Sequence, residues 1–215
     1  MTTVISRPPQ SVLFENVSWA DYGRALRQRD ARHEHTRITY DNGRMELVTK
    51  GFQHEQIKTT IGRLLETYSL EAGIPITGLG EATCRLKELR KGLEADECYY
   101  VASPPPASSP DPEKELDLTR YPPPDLAIEV DITRQSIPRQ PIYAALKIRE
   151  IWRYRRDSLS VLLLTAKGAY QPAEQSLAFP DLPIKQFNRF LKIALTQSQY
   201  EAAKAIRDWA RQSKP

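Results

Sequence analysis

Three acidic side chains lie within a short apolar segment near the middle of the chain, PPDLAIEVDITRQ at 123–135. Side chains two residues apart on a strand point to the same face, so Glu129 and Asp131 would lie together beside the small Ala127, with Asp125 at the strand entrance. Carboxylates in a mostly buried strand are costly unless a cation meets them. We therefore expect a cation, either a metal ion or a basic side chain, close to these carboxylates.

Asp96, in LEADECYYV at 93–101, offers another carboxylate if its strand lies beside the first one. Asp96, Glu129 and Asp131 would then surround a volume about the size of a hydrated Mg²⁺ ion, which prefers hard oxygen ligands and keeps several waters. Like charges at close range raise one another's pKa unless a cation intervenes. A metal bound there would activate water and neutralise charge on a phosphate, as phosphodiester hydrolysis requires.

The same acids can also be interpreted as ion-pair partners. The chain contains 31 lysine and arginine residues, and Arg134, Arg139 and Arg153 are close enough in sequence to pair with Glu129 or Asp131. Two acids on one face of a strand do not decide between a metal site and a set of ion pairs, so both interpretations stay open.

The composition is typical of one globular protein. The 215 residues are 40% hydrophobic, which allows a sizeable core, and no run reaches the roughly 20 apolar residues of a membrane span. The net charge of +4 permits a nucleic-acid partner without requiring one. Cys84 and Cys98 lack zinc-ligand spacing. With no apolar leader segment at the N-terminus, we expect a cytoplasmic protein.

Helices and strands alternate in the first half of the chain. The spacing of apolar residues predicts helices at about 18–29 and 54–72, and Asp41-Asn42-Gly43 predicts the turn of a β-hairpin between them. Two strand-like runs follow, and we expect them to extend the hairpin sheet, with Lys91-Gly92 as the turn that joins them.

The second half predicts a crossover unit and a helical end. The apolar strand leads through a helix that ends at Leu146 into two strands that are joined near Asp157-Ser158. Helical periodicity then predicts C-terminal helices within 184–213, with a break near Thr196.

The whole of 1–215 is expected to form one α/β domain. Residues 1–16 would be an extended arm, and residues 103–124 a proline-rich loop. Between and after them we expect a mixed β-sheet flanked by helices, with an N-terminal helix and hairpin and C-terminal helices.

Several short motifs occur in a characteristic order. GRMELV, GFQHEQI, GLEADECYYV, PPDLAIEVDITRQS, and PIYAAL with EIWRY resemble the Uma-type restriction-endonuclease-like family, within the PD-(D/E)XK nuclease superfamily. The resemblance covers about residues 15–195. It implies a restriction-endonuclease-like core that binds Mg²⁺, or Mn²⁺ in its place, and hydrolyses DNA phosphodiester bonds.

The resemblance also implies roles for single residues. Asp96 corresponds to the acid of the first signature strand and Glu129 to the acid of the second, and both would bind metal. Glu46, and His54 or the neighbouring Glu55, match positions that usually face the same cleft. His54 can equally be a structural residue that caps its helix, as lone histidines more often are.

One position departs from the superfamily pattern. Where that pattern has a lysine two residues after the second acid, this chain has Asp131, which carries no positive charge at neutral pH. Asp131 would then take a second metal, and Arg139, four residues before Tyr143, is the candidate to replace the lysine. Arginine suits bidentate contact with phosphate but exchanges protons poorly. An ion pair with Asp131, or a solvated position, is the alternative for Arg139.

These observations lead to two functional hypotheses. The first is a Mg²⁺-dependent DNA endonuclease, in which Asp96, Glu129 and Asp131 hold metal, Arg139 contacts phosphate, and a homodimer cuts both strands. The second is a catalytically inactive nuclease-fold protein that acts as a DNA-binding or assembly module, because the lysine position is acidic. RNA also stays open as a substrate, since no motif reads bases or a 2′-hydroxyl.

Overall fold

The structure is a computed structural model that describes residues 11–102, 115–132 and 135–212. These residues form five α-helices and twelve β-strands, and the strands make two six-stranded sheets. The predicted mixed α/β class is confirmed, although the strands divide between two sheets. Outside the described residues lie 1–10 of the predicted arm, 103–114 of the predicted loop, the ion-pair candidate Arg134, and residue 213 of the predicted C-terminal helices.

The first sheet, called sheet A, contains the hairpin. Its strands are β1 (Ser11–Phe14), β2 (Thr36–Asp41), β3 (Arg44–Thr49), β5 (Thr83–Leu86), β6 (Lys91–Glu94) and β8 (Glu115–Asp117). They lie in the order β1-β3-β2-β6-β5-β8, and only the pairing of β5 with β8 is parallel among these described strands.

The second sheet, called sheet B, contains the acidic central strand. Its strands are β4 (Ile76–Gly78), β7 (Glu97–Val101), β9 (Leu126–Val130), β10 (Glu150–Arg155), β11 (Ser158–Leu164) and β12 (Tyr170–Ala173). They lie in the order β12-β11-β10-β9-β7-β4, with β9 parallel to β10.

The helices are α1 (Trp19–Ala31), α2 (Phe52–Ala72), α3 (Gln140–Ala145), α4 (Ile184–Thr196) and α5 (Gln199–Gln212). α1 begins after Ser18, whose hydroxyl accepts the Asp21 N–H at 3.1 Å, and α2 ends at Gly73 in the left-handed conformation with φ 74°. The predicted helix starts are therefore close to those observed. Among the described residues, no helix is long and apolar enough to cross a bilayer.

Two apolar clusters cover the two faces of sheet B. One face packs against α2, α4 and α5 through large buried side chains such as Leu64, Trp152 and Phe187. The other packs against α3 and the β5–β6 part of sheet A through residues that include Ala127 and Ile142. Because β9 is central in sheet B, it is covered on both sides, and its five residues are all buried.

Two details of the predicted topology are wrong. Lys91 and Gly92 are not a turn but belong to β6, and the turn before that strand lies at 87–90, where Arg90 has φ 50°. The run that begins after Asp96 does not extend the hairpin sheet, because β7 pairs with β4 and β9 of sheet B. The chain thus passes from one sheet to the other between β6 and β7, and that crossing positions Asp96.

The predicted crossover unit is confirmed. β9 and β10 are parallel neighbours, and α3 lies in the connection between them. Pro141 falls in the first turn of α3, where its missing N–H leaves no helical hydrogen bond unmade. The residues just before α3 are thereby brought to the carboxyl end of β9.

Candidate active site

Asp96 lies in the connection between β6 and β7, where the chain leaves sheet A. Its side chain is fully buried. Its N–H donates to the carbonyl of Ile128 at 3.2 Å, and its Oδ2 accepts the N–H of Val130 at 2.8 Å. These contacts hold the carboxylate beside the end of β9.

Three cationic side chains face the Asp96 carboxylate. Arg37 of β2 donates from Nη1 to Oδ1 at 2.9 Å, Lys50 Nζ lies 3.7 Å from the same oxygen, and His54 Nε2 lies 3.1 Å from Oδ2. Burial opposes ionisation, but Arg37 and His54 outweigh it and hold the pKa of Asp96 well below its ordinary value. Asp96 is therefore an anion enclosed by the chain's own cations.

His54, in the first turn of α2, connects Asp96 to a second acid. Its Nδ1 lies 3.0 Å from Glu55 Oε1. Burial disfavours the charged ring, yet the contacts with Asp96 and Glu55 raise the pKa of His54 above its ordinary value. The hydrogen bond with His54 is also the largest of the effects that lower the pKa of Glu55 to about 2. His54 thus lies between two carboxylates that favour its charged form.

Glu129, on β9, points toward α3. Its Oε1 accepts hydrogen bonds from Arg139 Nη2 at 2.6 Å and from the Tyr143 hydroxyl. Removal from water, the largest effect, raises the pKa of Glu129 above its ordinary value; the charge of Asp96 adds to this rise, and Arg139 opposes it. The two acids are therefore near enough to influence each other's protonation.

Arg139 is the N-cap residue of α3 and is 6% exposed. It donates to the carbonyl of Glu94 as well as to Glu129, and its guanidinium carbon lies 5.6 Å from the centre of the Tyr143 ring. Its Nε and Nη1 are buried and have no hydrogen-bond partner among the described residues. Arg139 therefore connects β9, α3 and the end of β6. Two of its N–H groups remain available to a ligand.

Asp131 has a different environment from the other two acids. It follows β9 directly, is partly exposed, and lies 3.6 Å from Arg155 Nε. The ion pair that the sequence left open for Arg139 is formed with Glu129. The predicted site residues Asp96 and Glu129 are brought together, whereas Asp131 pairs with Arg155 of β10.

Glu46, on β3, is buried and is satisfied by neutral donors. It accepts the Ser11 hydroxyl at 2.5 Å and the N–H groups of Ser136 and Ile137 at 2.7 and 3.0 Å. Burial raises its pKa, but these hydrogen bonds outweigh burial and lower it overall. Glu46 thus holds residues 136 and 137 in place, just before Arg139. Its effect on the site is therefore indirect, through the position of Arg139.

A cavity of about 570 Å³ opens beside Glu129. Its charged lining residues come from β9, β10 and the start of α3: Glu129, Asp131, Arg139, Arg153 and Arg155. Guanidinium groups present planar pairs of donors that match phosphate oxygens. The cavity can therefore receive a phosphate group next to a buried carboxylate.

The described residues do not fit a divalent metal ion in this arrangement. Oδ1 of Asp96 faces Arg37 and Lys50, Oδ2 faces His54 and a backbone N–H, and Glu129 is bound to Arg139. Within the part of the chain that the structure describes, no group of three or more histidine, cysteine, aspartate or glutamate side chains is placed to hold a metal. The predicted set of Asp96, Glu129 and Asp131 is not assembled as a metal-binding group.

Sequence reasoning overlooked the cations that enclose Asp96. Arg37 interrupts the strand TRITYD and is 2% exposed, and Lys50 follows the hairpin directly. The available signal was a positively charged residue beside the β-branched and aromatic residues of this strand, just as the acids of β9 lie among apolar residues. Tyr143 and Arg155 had no comparable signal, because their roles depend on which elements meet.

The comparisons with known proteins give one result. A family model with the description "Uma2: Putative restriction endonuclease" matches residues 19–194, close to the extent of the resemblance noted in the sequence. Neither the curated proteins nor the solved structures include a match to the chain.

Proposed function

Because the chain belongs to the Uma2 family of putative restriction endonucleases, we propose that it is an endonuclease that acts on DNA phosphodiester bonds. One observation supports this most directly: Asp96, in the β6–β7 connection, lies beside the end of the strand that carries Glu129, and Glu129 lines a cavity together with three arginines. Hydrolysis of a phosphodiester requires charge stabilisation at the phosphate and a group that exchanges a proton. Both kinds of group are present at this cavity.

The cavity's arginines are the phosphate-binding groups in this proposal. Arg153 and Arg155 are two residues apart on β10 and so point to the same face, and both line the cavity with Arg139. Arg155 is exposed, whereas Arg139 is buried against Glu129. Arg155 would meet the DNA backbone first, and the deeper arginines would hold the phosphate beside the carboxylate.

Glu129 is the proton-exchanging group in this proposal. A carboxyl group whose pKa is raised accepts a proton more readily than an ordinary glutamate, and burial raises the pKa of Glu129. Arg139 and Tyr143 both bind Oε1 and so fix the orientation of the carboxylate. Asp96 acts as a positioning residue, because its charge influences Glu129 and its Oδ2 binds the next backbone N–H of β9.

Dependence on Mg²⁺ or Mn²⁺ is implied by the family resemblance alone. The described carboxylates offer no preformed ligand set for such an ion. The metal requirement therefore has to be measured separately from DNA binding and from cleavage.

A second candidate, binding of DNA without hydrolysis, is favoured by one specific observation. Both central acids are already neutralised by the chain's own side chains, Asp96 by Arg37 and Glu129 by Arg139. The guanidinium groups of Arg37 and Arg139 occupy the carboxylate oxygens that a metal ion would need. The arginines of the cavity remain available to bind phosphate. Such a protein would bind duplex DNA and leave it uncut.

The test is cleavage and binding of DNA by three forms of the protein. Wild type, Glu129→Gln and Asp125→Asn are each incubated with supercoiled plasmid, in buffer with chelator, with Mg²⁺ and with Mn²⁺. Asp125 is the matched control, because it comes directly before the same strand but pairs with Arg149 and accepts the Val101 N–H. We expect wild type and Asp125→Asn to nick the plasmid, and Glu129→Gln to lose at least about two orders of magnitude in rate.

The outcomes separate the two candidates. Equal cleavage by wild type and Glu129→Gln would overturn the assignment of Glu129. Retarded migration of a DNA duplex without cleavage under any metal condition would favour the binding protein. Absence of both binding and cleavage would reject DNA as the partner.

Two further features belong to the proposal. Cleavage of both strands is most simply achieved by a two-fold dimer that presents one such site to each strand, so we propose a homodimer on DNA. Cys84 and Cys98 are buried free thiols, which suits a reducing compartment, so we propose that the protein works in the cytoplasm.

A further inference from the structure

We propose that the exposed side of α4 binds the DNA backbone where it leaves the cavity. This surface, the α4 basic face, consists of Lys185, Arg189 and Lys192. The inference rests on the proposed function, since it extends the contact of the same DNA beyond the catalytic cavity. It makes α4 a positioning surface for the duplex.

The helix presents these cations because its other side is anchored. Phe187, Phe190, Leu191 and Ala194 are buried in the core of sheet B, whereas Lys185, Arg189 and Lys192 are exposed. The three cations are four and three residues apart and so share one face. At a rise of 1.5 Å per residue, seven residues span roughly 10.5 Å. That span is about three steps of a DNA strand, at 3.4 Å of helix axis per phosphate.

The α4 basic face also differs from the charged surface of α5. None of its cations is in an ion pair among the described residues, and Arg189 donates only to Gln186, at 3.2 Å. On α5, by contrast, the cations are paired with acids: Lys204 with Glu201, Arg207 with Asp208, and Arg211 with Glu71. Uncompensated cations attract a polyanion more strongly than paired ones.

A groove of about 560 Å³ separates the α4 basic face from the β10–β11 turn. Of the described residues that line it, three are the cations of this face and one, Asp157, is acidic; Asp157 accepts the Tyr154 hydroxyl at 3.2 Å. A groove with this balance of charge suits a phosphate chain.

The groove and the cavity are neighbours across the end of one strand. Tyr154 lines the groove, while Arg153 and Arg155, on either side of it in β10, line the cavity. Successive side chains of a strand point to opposite faces. A DNA backbone that crosses the end of β10 would therefore contact Arg155 first and then reach α4.

The test compares two triple variants by the salt dependence of duplex binding, measured by fluorescence anisotropy in the presence of chelator. One variant carries Lys185→Gln, Arg189→Gln and Lys192→Gln. The control carries Lys204→Gln, Arg207→Gln and Arg211→Gln, which removes the same number of positive charges from α5. Each phosphate contact contributes about 0.9 to the slope of log K against log salt, so the α4 variant should have a slope smaller by about 2 to 3.

Failure of this inference can be distinguished from failure of the proposed function. If wild type binds duplex DNA and the α4 variant has the same slope of log K against log salt as the α5 control, the α4 basic face is not the binding surface. If Arg155→Gln then binds duplex DNA more weakly than wild type, the cavity would still be supported as the DNA-binding site. If wild type itself shows no salt-dependent binding, the proposed function falls and the α4 proposal falls with it.

Discussion

Asp96 stays ionised inside the protein because its neighbours replace the water that it has lost. Arg37, His54 and the Val130 N–H each contact its carboxylate. Isolated buried charges are strongly unfavourable, and they become tolerable when cations and hydrogen bonds surround them. The protonation of His54 is therefore tied to the stability of the folded state.

His54→Gln should change how stability depends on pH. The folded protein raises the pKa of His54 above its ordinary value, so its contribution to stability is fully present below the unfolded pKa of about 6.5 and is lost as pH rises through the folded pKa. We expect the difference in free energy of unfolding between wild type and His54→Gln to be largest in acid and to shrink at alkaline pH. Urea unfolding at several pH values measures it.

His35→Gln is the control for that measurement. His35 is exposed, so the same substitution there should change the free energy of unfolding little. Parallel curves for His54→Gln and wild type would show that the charged form of His54 contributes nothing to stability.

The packing of α1 on sheet A requires a glycine, Gly92, in β6. Tyr22 of α1 stacks on Tyr40 of β2 with ring centres 4.8 Å apart, and Tyr40 pairs with Gly92 of β6. A Cβ at Gly92 would overlap the Tyr22 hydroxyl and lie 2.8 Å from two of its ring carbons. Glycine is needed there because the ring lies directly on the strand.

Gly92→Ala should lower the free energy of unfolding by about 1–3 kcal/mol, because the buried Tyr22 ring has to move. Gly23→Ala is the matched control: it adds the same methyl group within α1, where the nearest atom is the flexible Arg27 Nη1 at 3.4 Å. Alanine favours helix over glycine by about 1 kcal/mol, so this control should be neutral or stabilising. Thermal unfolding compares the two. Equal stability of both variants would contradict the packing argument.

The two sheets are joined by charge as well as by apolar packing. Arg37 belongs to sheet A, and Asp96 stands where the chain crosses to sheet B. On the other side of this crossing, Arg139 contacts the carbonyl of Glu94 at the end of sheet A and Glu129 in sheet B. Loss of one such cation leaves a buried charge with less compensation, at the point where the two sheets meet.

Arg37→Met should therefore destabilise the whole molecule by about 3–5 kcal/mol, because it leaves Asp96 buried without its main cation. Urea unfolding followed by both circular dichroism and tryptophan fluorescence tests this, and separation of the two transitions would show that the sheets have lost their coupling. Arg24→Met removes an arginine from an exposed pair with Asp21 and should have little effect. A similar small effect of Arg37→Met would refute the role of the buried pair.

Local patterns were enough to predict most elements. The turn at Asp41-Asn42-Gly43, the periodicity of α2 and the break between α4 and α5 are present as expected. These features depend on residues near one another in the chain, where backbone preferences and apolar spacing dominate. Lys91-Gly92 was misplaced because glycine in a strand, required here by the ring above it, resembles glycine in a turn.

The sequence by itself determined that acids occupy a buried central strand and that some cation has to meet them, because the cost of an unpaired buried charge does not depend on the fold. Only the tertiary structure decided which cations these are. Arg37 and Arg139 reach Asp96 and Glu129 because the chain changes sheets at Asp96 and because α3 starts beside β9. Such long-range meetings depend on how strands are ordered, and strand order is set by the packing of the whole molecule.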